Sequence, residues 1–567
     1  MARIFEEIGD ILEIKGEPPY KFNAYRLAAR NVIDAPQRLD ELFRLGKLRT
    51  IPGIGAALEA KIVEYLTTGR MAYYDEVRRE FPAALGSLLE VPGLGPGRAR
   101  TVYLRLGISS VADLEAAARS GQLAKLPGFG KKAVESLLRG LERLRQRETR
   151  NLISDAWLAA ETVRGELPGG LERLAVVGST RRMADSVGNV DLLTTDDQDI
   201  VKLVERLARL PNVVDVLEQT PRCARVVLYG GLEVRLHVVP KADWGSALVW
   251  YTGSAAHVEH LRRLAEARGW SFGPRGVEDA NGTRVAGETE RGVYERLDLA
   301  WIPPELREDQ GEIEAAQNGS LPRLVELGDI RGDLHTHTNW TDGIATLDEM
   351  AKAARAKGYA YMALTDHSQS LAMTRGLTPE RLLEQRRLVD RVNHKLAPFV
   401  VLLGTEMDIL LDGQLDFSDE VLASLDYVSA SVHSGFRQPG PEMTQRIVRA
   451  ISHPRVHTLN HPHGRIIRRR AGYEVEMQTV VEAAGRVGCA LELNATPDRL
   501  DLNGEWARKA RQAGARMTIS SDAHAVTELE YMQFGVGSAR RGWLTAEDVL
   551  NTRPLDELRR LLRQRTA

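Results

Sequence analysis

The sequence predicts a multidomain protein in three parts: an all-α N-terminal region, an α+β middle and a C-terminal α/β barrel. Three observations carry that reading. A Pro-Gly-x-Gly pattern occurs three times before residue 131, each time ahead of a helical segment. In the middle, short apolar strands flank a Gly-Ser turn followed by arginines. From residue 331, apolar strands alternate with helical stretches and repeatedly end in His, Asp or Glu. At 567 residues the chain has room for about three to five domains. Its 43% hydrophobic and 27% charged residues exclude a disordered or collagen-like chain. No apolar run reaches the ~18 residues of a membrane span. Glu6 and Glu7 stand where a signal peptide would be apolar, so a cytoplasmic location is expected. Cys223 and Cys489 are too far apart for a disulfide framework or a thiolate zinc site.

The net charge of −2 averages out a gradient. Residues 81–150 carry 12 Lys+Arg against 6 Asp+Glu, residues 1–80 balance at 13 each, and the remainder sums to −8. Such a chain suits a polyanion in one part and cations in another. Ten of the 13 histidines follow residue 330.

The repeats are Ile51-Pro52-Gly53-Ile54-Gly55, Val91-Pro92-Gly93-Leu94-Gly95 and Leu126-Pro127-Gly128-Phe129-Gly130. Proline ends one segment, and two glycines permit the tight backbone that starts the next helix. N–H groups turned outward at a helix start make a phosphate site. The pattern resembles the helix-hairpin-helix motif, which grips the DNA backbone without reading bases. Gly53, Gly55, Gly93, Gly95, Gly128 and Gly130, with Arg98 and Lys131 just downstream, are the expected DNA contacts. Tyr20-Lys21-Phe22 and the helix carrying Lys61 resemble the lyase domain of family X DNA polymerases. That resemblance makes Lys61 a Schiff-base nucleophile for abasic sugars and Lys21 a phosphate contact. Ala57 replaces a second expected lysine, and the competing reading makes Lys61 a surface lysine on phosphate. Residues 1–80 are thus the lyase-like domain, and 81–150 a fingers-like helix-hairpin-helix domain.

Leu174-Ala175-Val176-Val177-Gly178-Ser179-Thr180-Arg181-Arg182 reads as a buried strand, a Gly-Ser turn and basic residues. Val187–Leu193 and Gly231–Leu236 read as further strands. Together with Trp250-Tyr251-Thr252-Gly253-Ser254 they resemble the nucleotidyltransferase core of family X, with a palm at 151–242, a thumb at 243–315 and a linker at 316–330. The resemblance makes Gly178, Ser179, Arg182, Tyr251, Gly253 and Ser254 nucleotide contacts. It also calls for three metal-binding acids, of which only Asp191 is present. Asn189 and Arg235 occupy the other two positions. Amide for carboxylate removes one negative charge, and guanidinium for carboxylate changes two, so the site shifts by three units. Arginine stays charged at any working pH. Loss of polymerase chemistry is the expectation; the alternative is weak activity with Glu233 or Asp185 as substitute ligands.

In the C-terminal part, His335 and His337 alternate on a strand and can meet one cation. His367, Glu406, His433, His461 and the pair Asp522 and His524 end or follow later strands, and Asp342 follows the first. Nine such groups left unpaired would be costly to desolvate, so a metal cluster is expected. Polar residues at strand C-termini of a βα barrel mark its chemistry. These residues resemble the polymerase-and-histidinol-phosphatase (PHP) domain, a distorted TIM-like barrel, here residues 331–567. That resemblance assigns His335, His337, Glu406 and Asp522 to one metal, Glu406, His433 and His461 to a second, and Asp342, His367 and His524 to a third. Without thiolates, the ligand set suits Zn, Mn or Fe. His453 and His457 read as structural, and His463 with Arg465 as contacts to a substrate phosphate.

Hairpins, nucleotidyltransferase core and PHP barrel in this order resemble bacterial family X DNA polymerases over nearly the whole chain. The resemblance implies a DNA-repair enzyme with an intact metal-dependent 3′-5′ exonuclease or phosphoesterase site and a degenerate polymerase site. Up to three divalent metals in the barrel, and Mg or Mn for residual polymerase activity, are the implied cofactors. Gapped or nicked double-stranded DNA, 3′ ends and dNTP are the implied partners, with no membrane, a monomeric state and a nucleoid-associated location. The rival readings are an active gap-filling polymerase, a small-molecule phosphatase needing only the barrel, and a non-catalytic DNA-end scaffold.

Overall fold

The structure is a computed structural model that describes residues 2–33, 42–43, 47–51, 53–68, 71–79, 88, 91, 94–108, 110–130, 132–135, 137–138, 141, 150–167, 173–195, 200–228, 231–371 and 374–566. The chain forms two compact units, Met1–Thr149 and Arg150–Ala567. No helix among the described residues is long and apolar enough to cross a membrane.

The described part of the first unit is helical. Helices Ala2–Lys15 and Pro19–Ile33 bury Phe5, Ile8, Leu12, Tyr25 and Ala28 against Ile51, Ile54 and Ile62. The hairpins share one turn: Ile54, Leu94 and Phe129 are buried, and each donates its N–H to the carbonyl three residues earlier at 3.1, 3.0 and 3.2 Å. Gly53 and Gly128 take φ of +81° and +83°, a region that glycine enters without strain. A Cβ on Gly55, Gly95, Gly128 or Gly130 would meet nothing within 4 Å, so each turn offers open backbone. Gly93 and Lys131 lie outside the described residues.

In the second unit the palm is a five-stranded sheet of β1 (Leu174–Val177), β2 (Asn189–Thr195), β3 (Val213–Thr220), β4 (Cys223–Leu228) and β5 (Glu233–Val239), ordered β1-β2-β5-β4-β3. Only β2 and β5 pair in parallel, which sets Asp191 beside Arg235 and Asn189 beside Glu233. Strand alternation sends Val234, Leu236 and Val238 into the core and leaves Glu233, Arg235 and His237 on the opposite face. Helices Ile153–Glu166 and Ile200–Ala208 cover the apolar side with Ala160, Val163, Leu203 and Leu207. The thumb packs helices Trp244–Thr252, Ala255–Glu266 and Glu290–Arg296 around Val249, Leu261 and Tyr294. Its fully buried Arg307 bonds Glu290 at 2.7 Å, and Arg181 of the palm turn grips the same carboxylate at 2.8 and 2.9 Å.

The barrel has seven parallel strands in sequence order: β6 (Gly332–Thr336), β7 (Tyr361–Leu364), β8 (Val400–Asp408), β9 (Tyr427–Ser431), β10 (Thr458–Leu459), β11 (Ala490–Asn494) and β12 (Met517–Ser520). A Thr336–Ala523 bridge, with His337 N–H on the Ala523 carbonyl at 2.8 Å, joins the last strand to the first. The ring is thus one strand short of a TIM barrel, and nearly closed.

Palm, thumb and barrel share cores. Phe534, on helix Met532–Arg541, and Leu500 are buried in the palm core, and Trp543 in the thumb core. Gly537 lies so close to the palm that a Cβ would stand 2.8 Å from Met183. Arg540 forks onto Glu305 at 2.7 and 3.2 Å, and Arg465 pairs with Asp185 at 2.7 Å. Truncating Phe534 to alanine opens a cavity between the two bodies and is expected to cost about 3–5 kcal/mol, read as a fall in Tm. By the same reasoning a chain starting at residue 331 is expected to aggregate; a soluble, folded barrel of that length would show the shared core to be dispensable.

Candidate metal centre and palm

All nine expected metal ligands converge at the C-terminal rim of the barrel. His335 and His337 project from β6 and its end, His367 follows β7, Glu406 lies on β8, and His433 and His461 follow β9 and β10. Asp522 and His524 follow β12. His335, His337 and Asp522 each offer an atom within 4.8 Å of the others, as do His367, Glu406 and His433, and also His337, Asp342, His367 and His524. His367 sits further in than expected. Its Nδ1 is 3.0 Å from Glu406 Oε2 and its Nε2 3.2 Å from Asp342 Oδ2, so it faces two of the expected metal positions at once. Likewise His337 faces both Asp522 and Asp342.

The spacing has a recognisable cause. His335 and His337 Nε2 stand 3.4 and 3.3 Å from Asp522 Oδ1 and 3.4 and 3.5 Å from Glu406 Oε2. His433 Nε2 is 3.3 Å from Glu406 Oε1, and His524 Nε2 3.3 Å from Asp342 Oδ2. Donors around an ion at ~2.0–2.1 Å stand about 3.3–3.4 Å apart in a tetrahedral shell. His337 is the sharpest test of fit. It is fully buried, and among the described residues neither ring nitrogen makes a hydrogen bond. Burial, with His524 and His367 alongside, pushes its pKa down to about 3, so the ring is neutral and keeps a lone pair to give. A divalent cation is the partner this buried imidazole lacks, and the residues fit one.

His367, His433, His524, Glu406 and Asp522 hold charge against burial. Burial opposes the imidazolium of His367, yet Glu406 and Asp342 raise its pKa to about 10; His433 and His524 rise to about 9 beside Glu406 with Asp408, and Asp342 with Asp522. The same pairing overrides burial in Glu406 and Asp522 and holds both well below the carboxylate range. Protons and metal therefore compete for the same lone pairs.

A surrounding layer fixes the ligands. Glu492 accepts from His335 Nδ1 at 2.7 Å and from His461 N–H at 2.8 Å, and Asp408 lies 2.9 Å from His433 Nδ1. Asp366 collects Thr338, Thr341 and Gln385 at 2.5–2.8 Å behind the His337 turn. With Nδ1 engaged, His335 turns Nε2 toward Asp522 and Glu406. Arg499 brings its Nε within 3.5 Å of Asp522 Oδ2. Nothing in the sequence paired Glu492 with His335. Glu492→Gln is expected to weaken metal affinity about 10–100-fold without unfolding the barrel, measured by competition with a chelator. Arg465 is committed elsewhere, to Asp185 and the Arg499 and Leu500 carbonyls. His457 is structural, its Nδ1 accepting from Val428 N–H at 3.0 Å.

In the palm, Asp191 lies 3.5 Å from His237 Nε2, and Gly178, at φ +68°, passes so close that a Cβ would meet Asp191 Oδ2 at 2.7 Å. Glu233 Oε1 is held by Arg225 at 2.9 Å and Arg235 at 2.6 Å. Despite partial burial, these guanidinia lower its pKa. With Asp185 on Arg465, both candidate substitute acids are already neutralised. Asn189 Nδ2 is buried and makes no hydrogen bond among the described residues. Tyr251 stacks on His237 at 4.2 Å, and Ser254 Oγ caps helix Ala255–Glu266, accepting from His257 N–H at 3.1 Å. The Ser179 carbonyl accepts from Ala184 N–H, and Gly253 packs against His257 and Val258. Arg182 bonds Glu308 at 2.9 Å and the Thr252 carbonyl at 2.7 Å, while Arg541 of the barrel reaches both Glu308 and the Arg182 carbonyl. In the first unit, Lys61 Nζ lies 4.6 Å over the Tyr73 ring, Lys21 pairs with Glu17 at 3.2 Å, and Arg98 lies 6.0 Å over Phe129.

A polymerase-type palm and thumb sharing cores with a PHP barrel, on a chain led by helix-hairpin-helix units, define the class. Family models match residues 1–71 (helix-hairpin-helix domain), 85–143 (SAM-like helix-hairpin-helix tandem), 247–308 (DNA polymerase beta thumb) and 333–496 (PHP domain). Asp522 and His524 lie beyond the last of these. The chain is 36% identical over 569 residues to the DNA polymerase/3'-5' exonuclease PolX of Bacillus subtilis (strain 168), covering 100% of this chain and 99% of that one. The barrel portion is similar to a probable phosphatase of Thermoanaerobacter sp. (strain X514), 27% identical over 231 residues, covering 39% of this chain and 89% of the relative. It is also similar to one of Aeromonas salmonicida (strain A449), 30% identical over 212 residues, covering 35% and 79%. The chain belongs to the family X DNA polymerases that carry a C-terminal PHP domain.

Proposed function

We propose that the barrel hydrolyses phosphodiester bonds at DNA 3′ ends, while the palm holds DNA or nucleotide without extending it. The observation that carries this reading is His337, a neutral buried imidazole with no hydrogen bond among the described residues, clustered with seven further groups close enough to hold metal ions; His461 lies against Glu406 at 2.8 Å. His335, His337, Glu406 and Asp522 would hold one cation, Glu406, His433 and His461 a second, and Asp342, His367 and His524 a third. Zn, Mn or Fe suits this set. Divalent cations there supply an acidified water and charge for the phosphate oxygens. Water oxygen bonds to phosphorus, the P–O3′ bond breaks, and a proton passes to the departing 3′ oxygen. Glu492 and Asp408 keep their imidazoles oriented, and Arg499 faces the same region with a positive charge.

The hairpin backbones and Arg98 supply non-specific phosphate contacts, so affinity for gapped or nicked DNA falls steeply with salt. Lys61 is a candidate lyase nucleophile; Gly178, Ser179, Tyr251, Gly253 and Ser254 are candidate dNTP contacts. The protein acts as a cytoplasmic, nucleoid-associated monomer in repair. One assay tests the whole: metal analysis of the purified protein, then a gapped substrate scored for both shortening and lengthening. Shortening that chelator removes is the expected result, and a metal-free protein that only lengthens primers overturns it. The retained Asp191 beside Gly178 favours a second reading, weak gap filling with Mg or Mn, which the same assay detects as lengthening.

A further inference from the structure

The run from Pro462 to Tyr473 carries Arg465, Arg468, Arg469 and Arg470 and no Asp or Glu. It begins directly after the expected ligand His461, which lies 2.8 Å from Glu406. Its centre is a tight turn: Ile466 N–H bonds the Arg470 carbonyl at 2.8 Å, and the Arg469 and Arg470 N–H groups bond the Ile466 carbonyl at 2.9 and 2.7 Å. Palm and barrel both hold it. Ile467 packs on the palm core, and its N–H bonds the Asp498 carbonyl of the barrel at 2.6 Å. Arg465 spans the same seam, bonding Asp185 of the palm at 2.7 Å and the Arg499 carbonyl of the barrel at 2.8 Å. At the base of the run, a Cβ on Gly472 would stand 2.6 Å from the His463 carbonyl oxygen.

The four arginines divide into two pairs. Arg465 is engaged at the seam, and Arg470 bonds the Gly464 carbonyl at 2.9 Å and lies 4.1 Å over the Phe436 ring. Arg468 and Arg469 are exposed, and neither side chain has a hydrogen-bond, ion-pair or ring partner among the described residues. Arg468 holds φ at +69°, a region that a residue with a Cβ enters at a cost. A single exposed arginine is ordinary. Two in succession, on backbone fixed from both sides and in a run without acids, are charge held in place for an anion that the chain does not supply.

We infer that Arg468 and Arg469 grip the sugar-phosphate backbone of the DNA strand whose 3′ end the metal ligands take, at phosphates beyond the scissile one. The inference rests on the phosphoesterase reading above and gives it a strand-holding element. A guanidinium presents a planar fork of donors that matches phosphate oxygens, and it stays charged at any working pH. Arg468 comes seven residues after His461, and the turn is anchored on the palm seam rather than on the ligands, so its charge serves the strand and not the reacting group. Such contacts carry no base information, so the grip is the same for any sequence. The substrate phosphate expected on Arg465 thus moves along the chain, because Arg465 is committed and Arg468 and Arg469 are not.

The test uses the full chain and compares wild type with Arg468→Asn/Arg469→Gln, asparagine being the residue that best tolerates the positive φ. Binding of a single-stranded oligonucleotide with a nuclease-resistant phosphorothioate 3′ end is measured against salt. The substitution is expected to lower the slope of log affinity on log salt by about 1–1.5, the worth of two single-strand phosphate contacts. With metal loaded, cutting of a subsaturating ordinary oligonucleotide is expected to slow about tenfold. Hydrolysis of bis(p-nitrophenyl) phosphate, which has no strand to hold, stays at the wild-type rate. Arg468→Lys/Arg469→Lys keeps the salt slope. An unchanged slope, or equal losses on the oligonucleotide and the small diester, overturns the grip while leaving the hydrolytic reading intact. If the metal-loaded wild type cuts neither substrate, the hydrolytic reading fails, and the salt slope alone decides whether the two arginines hold DNA.

Discussion

In the His335→Ala and Asp522→Ala proteins, hydrolysis at DNA 3′ ends is expected to fall by at least about 10³-fold, well beyond the ~10–100-fold that follows loss of an outer partner. Each removal takes away a donor and also strands its neighbours. Without His335, Glu492 loses the ring that it orients at 2.7 Å, and Asp522 loses a partner at 3.4 Å. Without Asp522, His335 and His337 both lose the carboxylate that closes their shell, and Arg499 loses its counter-charge. Bound metal per chain should fall with the activity. DNA affinity and its salt slope should change little, because the expected hairpin contacts to the DNA backbone lie in the first unit. Both variants hydrolysing at the wild-type rate would place the nuclease in another site or in a contaminant.

The ligands were legible because each lies near the end of an apolar strand or follows one, and a parallel βα barrel gathers strand C-termini at one rim. His335, Glu406 and Asp522 needed no tertiary information beyond that rule. Their supports were not legible. Glu492 and His335 are far apart in sequence, and only barrel closure brings them to 2.7 Å. The hairpins were readable through Pro-Gly-x-Gly, since the turn demands a glycine with positive φ and a buried apolar residue next to it. The shared core was hidden. Phe534, Leu500 and Trp543 look like any barrel core residues, and their palm and thumb partners lie hundreds of residues away. For the same reason the engagement of Arg182 with Glu308 and Arg541 could not be read from a Gly-Ser-x-Arg-Arg turn. The amide at position 189 and the guanidinium at position 235 were legible residue by residue. What the structure adds is that Glu233 and Asp185, the acids nearest to hand, already serve arginines.

Restoring carboxylates to the palm is expected to produce the opposite kind of change, a gain. The Asn189→Asp/Arg235→Asp protein should extend a primer across a gap at least about 10²-fold faster than its parent with Mg. Strand register already supports the site: Asp191 sits beside position 235 on paired strands, and position 189 lies two residues before Asp191 on the same face of β2. The exchange moves local charge by three units toward negative. At ~4 Å each unit is worth about 4 kcal/mol per unit of ion charge at an effective dielectric near 20, so the exchange favours holding a divalent ion. Glu233 loses one of its two guanidinium partners, Arg235, and keeps Arg225. Adding Asp191→Ala to the double variant should erase the gain, which separates a rebuilt metal site from a general effect of charge on DNA binding. If the parent already fills gaps as fast as the rebuilt protein, three units of charge did not disarm the palm, and Asp191 works with ligands other than positions 189 and 235. The Arg182–Glu308–Arg541 contacts set the remaining limit. They hold the Gly178–Arg182 turn against the barrel, so Arg541→Ala in the rebuilt protein is expected to change KM for dNTP more than kcat, because it releases the Arg182 carbonyl, leaves Glu308 to the Arg182 guanidinium and does not touch the acids.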